Sequence, residues 1–215
     1  MSEDTEVEGN VEDALSKLLL VNTPTAEPEM RAMTIMGDIN EELSKDIIAG
    51  LWFLNHSAKV EEPVNPEDPE CNEYQEVVKP FEVIISTNGG NADEMFAIYD
   101  TMRWIRESVE IETFGLGKVM SAGTLLLAAG TKGKRKIGKH CRVMIHSVIG
   151  GSVGPMHQLD NEMKEVKAIQ ESYIKAICEE TNLTERKLRT LLKKKVNIYL
   201  TAEEAVEYGF ADIIV

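Results

Sequence analysis

Strand-like and helix-like apolar patterns alternate along this chain from residue 32 to its C-terminus. That alternation constrains the fold more than any other feature, because strand–helix–strand units return parallel strands to one sheet. The spacing predicts a strand at residues 32–36 and a helix over residues 40–56, with Leu43, Ile47, Leu51 and Leu54 on one face. A buried strand follows at residues 81–86, running into Asn88-Gly89-Gly90, read as a turn. A helix over residues 93–106 turns Met95, Ile98, Met102 and Ile105 inward, and a strand follows at residues 109–114. The longest helix, residues 156–180, carries a stripe of Leu159, Met163, Val166, Ile169, Tyr173 and Ile177. Either its own core or a partner subunit could cover so long a stripe. Thr184 caps a further helix ending in Lys193 to Lys195, and residues 197–200 are extended. Thr201 and Glu204 form a capping box for a helix closed by Gly209, before a last strand at residues 211–215. The class is α/β with a mainly parallel sheet.

Two segments stand outside this alternation. Residues 1–31 are acidic and dotted with proline around a short apolar patch, which predicts a flexible arm ahead of a domain over residues 32–215. Residues 57–80 hold Glu61, Glu62, Glu67, Asp68, Glu70, Glu73 and Glu76 among four prolines, which predicts an exposed, poorly ordered loop. Those carboxylates show no regular spacing that would gather them on a metal.

The net charge of −14 excludes nucleic acid or an anionic membrane as the main partner. The lysines at residues 132–139 and 193–195 read as a solvated turn or hairpin and a helix end. Cys71, Cys141 and Cys178 are scattered, as expected of free thiols in a reducing compartment. With no leader-like start and no apolar run of membrane length, the expected location is the cytoplasm.

Chemistry concentrates in residues 115–154. A strand runs through a glycine-punctuated turn at residues 115–117, Ser121 opens a short apolar helix, and a second strand, residues 142–145, ends at His146. A serine at a strand-to-helix turn exposes its hydroxyl in front of helix amides, and a histidine ending the next strand can serve as its base. A serine that merely caps the helix fits the same pattern.

Several pieces in order carry a resemblance: AAGTKGKR, RVMIH, Ser121 placed 25 residues before His146, the following Gly-Gly-x-x-Gly, Asn88-Gly89-Gly90, AIYDTMRWI and AEEAVEYGFAD. Together they resemble ClpP, the proteolytic subunit of the Clp protease, from about residue 33 to the C-terminus apart from residues 57–80. The resemblance implies a crotonase-like ββα spiral fold with a long handle helix at residues 156–180. It implies a serine endopeptidase without cofactor or metal, assembled as heptameric rings into a tetradecamer and supplied with unfolded polypeptides by an AAA+ unfoldase such as ClpX or ClpC. By matching position, Ser121 is the nucleophile, His146 the base and Asn197 the third triad member. The backbone N–H groups of Gly90 and Ala122 form the oxyanion hole, and Gly150 and Gly151 pair with the substrate strand.

Four departures qualify the match. Asn197 stands where the family usually has Asp. GLGKVMS carries two extra residues before the serine, and Ala122 replaces a Met. Residues 57–80 are an insertion. Glu82 and Ile84 replace tyrosines of the unfoldase-docking pocket, which tells against a standard unfoldase. Asn197 and the altered pocket also motivate a second expectation, a catalytically weak or silent ring subunit that modifies a partner ClpP. A crotonase-type acyl-CoA enzyme would leave the Ser121/His146 pair unexplained.

Overall fold

A computed structural model describes residues 30–67, 72–194 and 196–215, and residues 31–215 form one compact unit. Most of the expected N-terminal arm, residues 1–29, lies outside the described residues, as do Lys195 and Cys71. Arg31 already belongs to the folded unit: its guanidinium donates to the carbonyls of Leu54 and Ser57.

The main sheet runs β1 (Ala32–Ile39), β4 (Phe81–Gly90), β5 (Ile111–Met120), β6 (Arg135–Ile137), β9 (Ile213–Ile214), every neighbouring pair parallel. Farther along β5, β7 (Arg142–Ile145) also pairs parallel with it, and β8 (Ile198–Leu200) joins β7 antiparallel. The α/β reading with a mainly parallel sheet holds. β4 and the first half of β5 alternate buried and half-buried residues, so one face is packed and the other is partly open. Val83, Ile85 and Ile111 point into the core under α1 (Glu41–His56), α2 (Ala92–Ile105) and α3 (Ala122–Ala128). Asn40 and Asn91 cap α1 and α2 by accepting from backbone amides one turn on. Every residue of α3 is buried, as its largely apolar composition requires; its one polar side chain, Thr124, is hydrogen-bonded.

On the open face, Glu82 and Glu112 are direct cross-strand neighbours. Like charges so placed repel. Lys136 relieves this, its ammonium 2.6 Å from Glu112 and 3.3 Å from Glu82. Ile84 lies one row along the same face, beside Phe114.

Four expectations need correction. Residues 57–80 are not an unstructured loop, because β2 (Lys59–Pro63) and β3 (Tyr74–Val78) pair as an antiparallel hairpin. Cross-strand ion pairing, Lys59 to Glu76 at 2.9 Å, offsets the acidic composition there. Residues 88–90 continue β4 instead of turning away from it. Residues 115–117 lie within β5: the step from Ile85 to Thr87 is matched by the step from Gly115 to Val119. The two extra residues form a bulge, with Gly117 at φ 64°. Residues 132–139 are not a hairpin, since β6 pairs parallel with both β5 and β9.

α4 (Met156–Glu180) settles the fate of its stripe by dividing it. Residues 156–165 are all exposed, whereas Tyr173, Ile174, Ala176 and Ile177 are buried in the core. α5 (Glu185–Leu192) is capped by Thr184, and α6 (Ala202–Tyr208) has the full capping box of Thr201 and Glu204, closed by Gly209 at φ 82°. No helix among the described residues is long and apolar enough to cross a membrane.

Buried ion pairs fasten the C-terminal segment. Arg135, 4 % exposed, grips both Asp212 oxygens at 2.8 and 2.6 Å and donates to the Glu180 carbonyl at 2.8 Å. The Glu180 carboxylate accepts from the Tyr99 hydroxyl and, through both oxygens, from Arg106. Burial alone would raise the Asp212 carboxyl pKa. The side-chain and backbone hydrogen bonds from Arg135, with a further one from the Gly133 amide, hold it below its usual value instead. A carboxyl lowered in this way stabilises the fold fully above its unfolded-state value, about pH 4, and loses that contribution as pH falls through the lower folded-state value. Asp212→Asn is therefore expected to lower unfolding free energy at pH 7 by roughly 2–4 kcal/mol. Urea unfolding at pH 7 and again below pH 4 checks this: the deficit should shrink in acid, and an equal deficit at both would refute the assignment.

Candidate active site

The strands that build the site run in the same direction, so their C-terminal ends meet. Met120 pairs with Met144, and the next amide, Ser121 N–H, donates to the Met144 carbonyl at 2.8 Å. This brings the end of β5 against the end of β7, and Ser121 against His146. Ser121 adopts φ 53° and ψ −121°, a left-handed conformation shared by no other non-glycine among the described residues. Such backbone costs on the order of 1–3 kcal/mol and survives only where the surroundings enforce it. Enforcement comes from the Met144 carbonyl and from Thr124, whose amide and hydroxyl both donate to the Ser121 carbonyl, at 3.0 and 2.7 Å.

The Ser121 side chain makes no capping bond to α3. Its Oγ lies 2.8 Å from His146 Nε2 instead. The two readings of this serine, helix cap and partner of the histidine, are thereby separated. With the ring proton on Nδ1, Nε2 is free to accept the hydroxyl proton.

β4 supplies the opposite wall. Thr87, fully buried, accepts from the Gly89 amide at 2.9 Å and donates to the Gly37 carbonyl, which fixes the strand end. Gly89, at φ 98°, comes so close to the serine turn that an added Cβ would lie 2.5 Å from Ser121 Cβ and 3.0 Å from the Ala122 amide nitrogen. Asn88 receives a hydrogen bond from Lys118 of the β5 bulge at 2.8 Å, so the bulge braces the same corner.

Ser121, His146, Gly90 and Ala122 all line one cavity of about 430 Å³. Its apolar lining includes Met95, Val166, Ile169 and the ring of Tyr173. The Tyr173 hydroxyl is 3.0 Å from Thr124 Oγ1, and burial, against the opposing effect of that hydrogen bond, raises its pKa to about 12. It remains neutral.

Three residues expected at the site do not line this cavity. Gly150 and Gly151 do not line the cavity. Gly150 backs onto Val166 of α4, and Val148 and Ile149, two positions earlier in the segment, form the wall. The Val148 amide is pinned to Gln170 Oε1 at 2.7 Å. Asn197 follows from the β7–β8 register: Ile145 faces Ile198, so the next step sets Asn197 opposite His146. Yet Asn197 is exposed, and among the described residues nothing is hydrogen-bonded to His146 Nδ1.

Thr87, Thr124, Met95 and Tyr173 were not singled out from the sequence as site residues. Met95 and Tyr173 carry only the signal of core positions on amphipathic helices, and they are core positions as well. Gly89→Ala is expected to separate Ser121 from His146 and to lower stability by roughly 1–3 kcal/mol or more. Gly133→Ala is the control, since Gly133 has φ 87° but nothing within 4 Å of an added Cβ. Urea unfolding and a crystal structure of each variant distinguish crowding from backbone strain; equal losses would mean that the Gly89 contact is not the cause.

A family model described as Clp protease matches residues 71–215, more than half of the chain. The match takes in β3, β4, α2, the serine turn, β7, α4 and the C-terminal segment held by Arg135. On that match and on its mainly parallel α/β fold, the chain belongs to the Clp protease family.

Proposed function

We propose that this protein is a serine endopeptidase subunit of a Clp-type protease. The observation that carries the proposal is the 2.8 Å contact between Ser121 Oγ and His146 Nε2 in the lining of a partly apolar cavity. His146 takes the hydroxyl proton as Ser121 Oγ attacks a peptide carbonyl, then returns it to the leaving amine. A water molecule repeats the sequence on the acyl-enzyme. The amides of Ala122 and Gly90 receive the developing oxyanion. An apolar side chain of an unfolded polypeptide fits against Met95, Ile169 and Val166.

Asn197 is the weak member. A carboxylate at the third position orients the imidazole and stabilises its cation, whereas an amide carries no charge. Its exposed placement supports slow hydrolysis, and it also supports the second reading, a ring subunit that modifies a partner ClpP and hydrolyses little itself. The ion cluster of Glu82, Lys136 and Glu112 includes a residue that the resemblance assigns to the docking pocket, Glu82, and supports an unfoldase other than the standard partner. Ring assembly is assigned to the exposed half of α4, where Met156 and Met163 are 79 % and 53 % exposed.

A fluorophosphonate probe should label Ser121, and short fluorogenic peptides should be cleaved slowly, with both signals lost in Ser121→Ala and cleavage lost in His146→Ala. Asn197→Asp should raise the rate by a few-fold to on the order of 10³. Labelling that persists in Ser121→Ala removes the nucleophile assignment. A wild type that assembles without labelling selects the second reading. Met163→Glu should convert the assembled species into smaller ones in light scattering; an unchanged mass would place the contact elsewhere.

A further inference from the structure

Tyr173 is the point at which α4 passes from exposed to buried, and its hydroxyl ends inside the molecule, 4 % of the residue being accessible. The only atom in hydrogen-bonding reach of it among the described residues is Thr124 Oγ1, at 3.0 Å. Thr124 is fully buried and has one hydroxyl proton, which is directed to the Ser121 carbonyl at 2.7 Å. Proton counting then fixes the direction of the other bond: Tyr173 O–H donates to Thr124 Oγ1. The result is a three-member chain, Tyr173 hydroxyl to Thr124 hydroxyl to Ser121 carbonyl, ending on the one described non-glycine held in left-handed backbone. Donation into Thr124 Oγ1 polarises its own O–H and strengthens the bond to Ser121. In a buried setting each link is worth more than the same bond in water.

We infer that Tyr173 is a positioning residue for the proposed reaction: through Thr124 it holds the Ser121 backbone in its left-handed conformation, and so ties the geometry of the nucleophile to the seating of α4. The inference rests on Ser121 being the nucleophile. Tyr173 also forms part of the cavity wall, so a role in gripping substrate is the competing explanation. The two differ in what they change. A wall residue alters KM, whereas a residue acting through the serine backbone alters kcat and the rate of covalent labelling. A residue that acts only through Thr124 has no effect once the Thr124 hydroxyl is gone.

The test uses the full chain and four variants: Tyr173→Phe, Thr124→Val, Thr124→Ser and the double Tyr173→Phe/Thr124→Val. Short-peptide kinetics and the fluorophosphonate labelling rate of Ser121 are measured for each, with hydrogen exchange of the Ser121 and Thr124 amides. Tyr173→Phe is expected to lower kcat and labelling about 2- to 10-fold with KM unchanged. Thr124→Val should lower them at least as far, the double variant should be no worse than Thr124→Val, and Thr124→Ser, which keeps the hydroxyl, should stay near wild type. Exchange at both amides should quicken in Tyr173→Phe. Losses that multiply in the double variant, or a change confined to KM, would overturn the inference. If Thr124→Val does not fold, Tyr173→Phe decides through its kcat and exchange. If the wild type neither turns over nor labels, the nucleophile reading has failed, and exchange alone judges the chain: unchanged amides in Tyr173→Phe refute it, quicker exchange sustains it.

Discussion

Parallel strands end on the same edge of a sheet, and the arrangement of this molecule depends on that. β4, β5 and β7 all run one way, so Gly90, Ser121 and His146, far apart in sequence, arrive together at three neighbouring strand ends. An antiparallel arrangement would send the middle one to the opposite edge. The sheet supplies proximity, but the strand ends must also approach more closely than ordinary side chains allow. Gly89 meets that need on one side, and the hydrogen bonds from Thr124 and to Met144 meet it on the other. The left-handed serine is a product of all three restraints acting at once.

How much of this was legible in the sequence depends on the length scale of the signal. Amphipathic helices with caps were readable because cap and stripe are local: Thr201 with Glu204, Thr184, and the 156–180 helix were found at the expected places. The short strand β6 was not. β6 has three residues and lies in a lysine-rich stretch, where charge suggested a turn, yet its outward Lys136 pairs with Glu82 and Glu112. Glycines misled in the same direction. Residues 88–90 and 115–117 were read as turns, whereas one set continues β4 and the other absorbs two extra residues of β5 without ending it. Ser121 and His146 could be proposed from order and spacing, but only the 2.8 Å contact separates the pair from a helix cap and a structural histidine. The Asn197 assignment came with the family resemblance, while its exposure could not, because exposure is a property of what packs nearby.

The stretches that made the family recognisable are in large part structural. Arg135 of AAGTKGKR and Asp212 of AEEAVEYGFAD hold each other across the sheet end, and Arg135 reaches the Glu180 carbonyl at the end of α4. A buried guanidinium with one carboxylate removed is strongly unfavourable, so neither residue changes freely without the other.

The hairpin has a consequence of a different kind. Its two roots are adjacent: the Lys79 amide donates to the Ala58 carbonyl at 2.8 Å, and Ala58 itself is fully buried. The chain thus leaves the core and re-enters it at a closed hydrogen-bonded gate, with β2 and β3, among the described residues, paired only to each other. Length, charge and sequence beyond that gate can drift with little echo in the core, since the closure entropy of a longer excursion grows only logarithmically. The appendage is therefore where relatives of this chain have room to diverge in what they meet at the surface, while the serine, the histidine and the strands that carry them stay as they are.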